Sequence, residues 1–166
     1  TIPAVYIKYR YRSPKNVVDE LEYLHNKYGT THFQILDDNF AYVNKRAIDI
    51  CNEIIKRGLS KKIKWTIGQG LTAASVTREL AFKMKEAGCT LVSIGIESVH
   101  EDVLKKMKKP ANLYVIEKAI KILKEAGIKI KAFFIVGLPG STYDKEVDSV
   151  AFFKRYNIDI PRYSNP

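Results

Sequence analysis

A chain of 166 residues, 46% hydrophobic and 28% charged, has the size and composition of one globular domain with a buried core. Its longest strongly apolar stretch, 132–138, falls far short of the roughly 20 residues a bilayer needs, and no basic-then-apolar leader opens it. The expectation is therefore a cytoplasmic protein without a membrane partner. The net charge of +10 raises nucleic acid as a partner, but the lysines spread over nearly every helical segment and share faces with glutamates, as at Glu117 and Lys121. A solvated surface is the stronger reading.

Taken in chain order, Ser13 and Pro14 suit the cap and first position of a helix whose apolar face is Val17, Leu21, Leu24 and Tyr28, with Gly29 as its stop. Phe33, Ile35 and Leu36 follow as a strand. A second helix, capped by Asn44, turns Ala47, Ile48, Cys51, Ile54 and Ile55 inward and stops at Gly58. A strand over 63–67 ends in Gly68-Gln69-Gly70. The third helix follows Thr77, buries Leu80, Met84 and Ala87, and gives way at Gly88 to a strand over 90–96 that runs into Glu97-Ser98. Ser98 and Glu101 have capping-box spacing for a short helix through Met107. Pro110 breaks that helix, and Asn112 caps another with Val115, Ile116, Ala119, Ile120 and Leu123 inward. After Gly127 come an apolar strand over 130–136, a helix over 144–156 and a final strand over 158–163.

Gly29, Gly58, Gly88, Gly127 and Asn157 close successive helical patterns at spacings of 29, 30, 39 and 30 residues, which fits one αβ unit each. Near-continuous apolar strands between helices indicate a parallel sheet. Right-handed crossovers leave an open doubly wound sheet or part of a closed barrel. The barrel is preferred, because polar or glycine-rich residues end several successive strands rather than one switch point. The fold expected is α/β: a fragment of a partial (β/α)6 TIM-like barrel with parallel strands. Residues 1–166 read as a single partial domain, the interior of a larger protein, because the sequence opens on a loop and helix and stops just past a strand. Five strands cannot close such a ring, so an unpaired edge and self-association through it are expected.

Three strand ends hold the candidate chemistry. Asp37 and Asp38 repel one another unless a positive group relieves them, such as an ammonium, a sulfonium or a divalent metal; the plainer alternative is a turn pair. Glu97 is suited to accept hydrogen bonds from ribose hydroxyls, or simply to sit at a helix N-terminus. Ser98 is a cap and a ligand contact. Gly137-Leu138-Pro139-Gly140 makes a rigid turn that a flat ligand can approach closely. There is no P-loop, Gly-x-Gly-x-x-Gly fingerprint, histidine cluster or Gly-x-Ser-x-Gly elbow. Carboxylates at the mouth favour a cationic ligand over a phosphate.

Four segments in this order resemble the radical S-adenosylmethionine superfamily, especially the class whose members often carry a cobalamin-binding domain. They are Tyr11-Arg12-Ser13-Pro14-Lys15-Asn16-Val17-Val18-Asp19-Glu20, Leu36-Asp37-Asp38-Asn39-Phe40, Gly95-Ile96-Glu97-Ser98 and Phe134-Ile135-Val136-Gly137-Leu138-Pro139-Gly140. The resemblance implies an enzyme whose partial barrel binds a [4Fe-4S] cluster through three cysteines after the first strand, with S-adenosylmethionine on the cluster. The reduced cluster then generates a 5′-deoxyadenosyl radical. It also implies that Asp37, Asp38 and Asn39 lie near the methionine amino group, Glu97 and Ser98 near the ribose, and Val136, Gly137 and Pro139 against the adenine. Cobalamin is implied in a neighbouring domain. Family members modify RNA, lipids, peptides and small metabolites, which leaves the substrate open.

The family's Cys-x-x-x-Cys-x-x-Cys motif is absent: its place would be just before Thr1, so the first strand and cluster loop are expected to be missing. Cys51 and Cys89 stand far apart without metal-ligand spacing, and each falls in an apolar pattern that makes it a core residue. This chain alone is therefore expected to hold no cluster and perform no catalysis. Two rival readings remain. One is a metal-dependent barrel hydrolase or lyase with Asp37, Asp38 and Glu97 as magnesium ligands. The other is a basic RNA-binding α/β module, in which Tyr6, Tyr9 and Tyr11 alternate with Lys8, Arg10 and Arg12. That alternation fits a half-buried strand or cluster-loop exit better.

Overall fold

A computed structural model of the protein describes residues 10–107 and 112–165; Tyr6, Lys8, Tyr9 and Pro110 lie outside them. Helix α1 (Pro14–Tyr28) begins where the Ser13 side chain accepts from the Asn16 N–H, and it ends at Gly29 with φ 68°. Strand β1 (His32–Ile35) leads to α2 (Asn44–Lys56), and β2 (Lys64–Leu71) leads to α3 (Arg78–Glu86). Strand β3 (Cys89–Glu97) is followed by the short α4 (Glu101–Lys106) and by α5 (Leu113–Glu125). Strand β4 (Lys129–Ile135), α6 (Tyr143–Arg155) and β5 (Ile160–Ser164) complete the order. Thr77, Asn112 and Thr142 each cap the helix they precede through a side-chain oxygen.

All five strands are parallel and lie in the order β1-β2-β3-β4-β5. A doubly wound sheet reverses direction at a switch point; this one never does, so it is an arc of a TIM-like barrel. Among the described residues the outer edges of β1 and β5 are unpaired, as five strands require. Helices α1, α2, α3 and α5 pack in succession, each on the next. Their buried residues join Trp65, Ile67, Val92, Ile94, Ile130 and Phe134 in one core. Burying side chains of this size contributes about 1.5–3 kcal/mol each.

The structure corrects several local expectations. Asn44 opens α2 but does not cap it, because its amide donates instead to the Ser75 carbonyl at 3.0 Å. Tyr28 is 63% exposed and packs its ring edge on Tyr23, while Val18 takes the buried position. In α2, Arg46 and Ile50 are buried, whereas Ile48 and Ile55 only flank the core. Strand β2 runs on through Gly68-Gln69-Gly70 to Leu71. Residues 10–12 are not in a strand, and all three are exposed.

Candidate functional site

Parallel pairing brings the carboxyl ends of all five strands to one edge. Ile35 lies beside Ile67, Leu71 beside Ile94, Glu97 beside Phe134, and Ile135 beside Ser164. The segments bearing Asp37, Asp38, Asn39, Glu97, Ser98, Val136, Gly137 and Pro139 therefore leave the sheet at the same end. Strands β1 and β3 are two spacings, or about 10 Å, apart, and β3 and β4 are direct neighbours. The Asn39 amide donates to Thr72 Oγ1 at 3.0 Å, tying the end of β1 to that of β2.

The two aspartates differ. Asp37 Oδ1 accepts from the Asn39 N–H at 3.2 Å, and its Oδ2 lies 3.6 Å from Arg46 Nη1. Arg46 is buried, donates from Nε to the Arg12 carbonyl at 2.9 Å and stacks 5.3 Å from the centre of the Tyr11 ring. The chain thus supplies Asp37 with its own cation, so no external charge is needed there. Asp38 is exposed and makes no hydrogen bond or ion pair among the described residues. The sequence signal for Arg46 was its place four residues before Ile50 and eight before Ile54, a charged side chain on an apolar stripe.

Glu97 ends β3 with φ 66°, in the left-handed region. The register slips by one residue between Gly95 and Glu97, and the Ser98 N–H donates to the Ile96 carbonyl at 2.9 Å, so Glu97 is the central residue of a γ-turn. Such a backbone costs about 1–3 kcal/mol and is characteristic of functional sites. Ser98 does not cap α4 in a capping box. Its buried hydroxyl accepts from the His100 N–H at 3.2 Å, and His100 is the residue preceding the helix.

Leu138, Pro139, Gly140 and Ser141 form a tight turn closed by a 2.9 Å bond from the Ser141 N–H to the Leu138 carbonyl, with Gly140 at φ 87°. Glu146 Oε1 accepts from the Gly137 N–H at 3.3 Å and from the Ser141 hydroxyl. Lys145 donates to the Gly140 carbonyl at 3.1 Å and pairs with Asp102, holding that carboxyl below its ordinary range. The turn is thus braced from α6 and α4. A Cβ on Gly140 would meet the flexible end of the Lys106 side chain, which lies over the turn. Next to Gly137 there is open space, the access a flat ligand requires.

Cluster ligation does not fit these residues. Cys51 and Cys89 are the two cysteines of the sequence, and both are buried. Burial pushes the Cys51 thiol up to about 12 and raises Cys89 as well, whereas the thiolate is the metal ligand. Among the described residues no three His, Cys, Asp or Glu side chains are grouped to hold a metal. The magnesium reading of Asp37, Asp38 and Glu97 is overturned by that spacing and by the turn of Asp37 toward Arg46. No helix among the described residues is long and apolar enough to cross a membrane.

An arc of parallel strands in consecutive order, with polar loops at one end, defines a partial barrel of the kind that binds its ligand at the strand ends. The sequence profile of the Radical SAM superfamily matches residues 2–153, and the chain belongs to that superfamily. It is 37% identical over 156 residues to the anaerobic magnesium-protoporphyrin IX monomethyl ester cyclase of Cereibacter sphaeroides, covering 94% of this chain and 26% of that protein. It is 32% identical over 157 residues to an uncharacterised methyltransferase of Pyrococcus horikoshii, covering 95% and 33% respectively. The chain thus spans about a quarter to a third of these relatives. Its fold is also that of the radical S-adenosylmethionine methyltransferase TsrM from Kitasatospora setae, solved with cobalamin and a [4Fe-4S] cluster. There the TM-score is 0.81 at 20% identity, over 93% of this chain and 31% of that one.

Proposed function

We propose that this chain is the S-adenosylmethionine-binding core of a radical S-adenosylmethionine enzyme. The observation that carries the reading is the gathering of an exposed acid with no partner among the described residues, a strained acid and a braced glycine turn at one end of a consecutively ordered parallel arc. In this reading Asp38 accepts hydrogen bonds from the ligand ammonium, with Asp37 and Asn39 holding the loop that presents it. Glu97 accepts from the ribose hydroxyls, and Ser98 fixes the backbone beside it. Val136, Gly137 and Pro139 pack against the adenine, with Glu146 holding the Gly137 N–H in place. When bound, S-adenosylmethionine supplies a sulfonium whose reductive cleavage yields an alkyl radical.

The [4Fe-4S] cluster that supplies the electron needs cysteines other than Cys51 and Cys89, and a cobalamin domain beside this core is the companion suggested by the likeness to TsrM. The test is anaerobic assay of the full-length protein for 5′-deoxyadenosine, with Asp38→Asn and Glu97→Gln variants titrated with S-adenosylmethionine. Each variant should weaken binding about tenfold, the effect of one hydrogen bond to a charged group. A fully loaded cluster with neither cleavage nor S-adenosylmethionine binding would sink the proposal.

A further inference from the structure

The sheet face turned away from the helices has a charge pattern of its own. On β4, Ile130, Ala132 and Phe134 are buried against the helices, which leaves Lys131 and Phe133 on the opposite, concave face. Register extends the assignment to the neighbouring strands: Ser93 lies beside Lys131, and Arg162 beside Phe133. Lys131 and Arg162 are therefore diagonal neighbours, with Cα atoms about 7–8 Å apart. Lys131 Nζ stands 4.9 Å from the centre of the Phe133 ring, and among the described residues neither cation pairs with a carboxylate. Beside Lys131, the Ser93 side chain is fully buried and its hydroxyl has no hydrogen-bond partner among the described residues.

Buried hydroxyls are almost always bonded, and two cations held on adjacent strands repel each other unless an anion lies between them. The ring of Phe133 and the side chains of Leu91 and Ile160, the register neighbours of Lys129 and Lys131, add apolar surface around the pair. We propose that this concave face is the substrate subsite and that it takes an organic oxyanion, a carboxylate or a phosphorus oxyacid, joined to a planar apolar group. Lys131 and Arg162 pair with the oxyanion, the Ser93 hydroxyl donates to it, and Phe133 stacks on the planar part. The assignment rests on reading the strand ends as the S-adenosylmethionine site, because it places the substrate on the sheet directly beneath them.

The test titrates the full chain with phenylphosphonate and with benzoate, and with benzyltrimethylammonium as the cationic counterpart, following amide chemical shifts at low ionic strength. Both anions should move the amides of Ser93, Lys131, Phe133 and Arg162, and the ammonium should not. Lys131→Met and Arg162→Gln should each weaken anion binding about tenfold, the effect of one charged hydrogen bond. Lys121→Met, which removes an equal charge from the helical surface, should leave it unchanged. In the full-length, cluster-loaded protein both variants should keep wild-type affinity for S-adenosylmethionine.

Failure of the anions to bind, or shifts scattered over the helix lysines, overturns the inference. So does a parallel loss of S-adenosylmethionine affinity, which would give the two cations to that ligand's own carboxylate. Anion binding on the concave face without any S-adenosylmethionine binding would strike the reading of the strand ends alone.

Discussion

Replacing Arg46 with methionine keeps a long apolar stem in a buried position and removes three interactions together. The bond from Nε to the exposed Arg12 carbonyl is 2.9 Å long and contributes about 1.5 kcal/mol, the low end for a charged donor. The stack on the Tyr11 ring, 54% exposed, adds about 0.5–1 kcal/mol. The 3.6 Å contact with Asp37, whose side chain is 24% exposed, adds roughly 0.5–1 kcal/mol after solvent screening. Methionine retains part of the stem packing, so these three interactions set the net loss at about 2.5–3.5 kcal/mol, a fall in Tm of roughly 5–14 °C for a domain of this size.

Urea and thermal unfolding followed by circular dichroism measure that loss. Arg46→Lys should recover less than half of it, because a point ammonium cannot serve the carbonyl and carboxylate with a fork. Asp37→Asn should cost less in the Arg46→Met background than alone, by about 0.5–1 kcal/mol. A methionine variant within 0.5 kcal/mol of the wild type, or full rescue by lysine, would refute the claim that Arg46 holds the aspartate loop.

Gly88 has φ 96°, and a Cβ there would meet the Ile63 carbonyl at 2.9 Å, so Gly88→Ala should lose about 3 kcal/mol in urea unfolding. Gly29→Ala, at φ 68° with open space around it, should lose only about 1 kcal/mol. Burial disfavours the charged form of Asp159, but hydrogen bonds from Lys124 and from the Ile130 N–H outweigh it and lower its pKa from 3.8. A lowered folded pKa stabilises the fold above the unfolded value, and that stability is lost as pH falls through the folded one. Asp159→Asn should therefore destabilise by about 1–2 kcal/mol at pH 7, with the gap to wild type closing below pH 4, as stability measured against pH will read. Cys51 and Cys89, buried with raised pKa values, should both resist a thiol reagent in the native chain and both react in denaturant; rapid native labelling at pH 8 would contradict their burial.

Local chemistry was legible without coordinates. Ser13, Thr77 and Asn112 cap their helices because a side-chain oxygen reaches an N–H two or three residues on, and Gly29, Gly58, Gly88 and Gly127 end α-units because each adopts positive φ. The superfamily and the strand-end segments that mark it were likewise readable in one dimension, as was the absence of a cysteine motif. Asn44 is drawn from its capping role by the distant Ser75 carbonyl, Ser98 is turned from the helix by the γ-turn at Glu97 and accepts from the His100 N–H, and Tyr28 stays exposed against Tyr23 while Val18 takes the buried position.

Tertiary structure decided what periodicity leaves open. Right-handed crossovers allow both an open doubly wound sheet and a barrel arc, and only the pairing order selects between them. It also parted two adjacent aspartates that look alike in sequence, because a buried guanidinium nine residues after Asp37 faces that carboxylate, while Asp38 is left to solvent. Lys131 and Arg162, 31 residues apart, become neighbours through strand register alone. Caps and stops are set by a few adjacent residues, but the charge of a site is set by which side chains the packed sheet desolvates together.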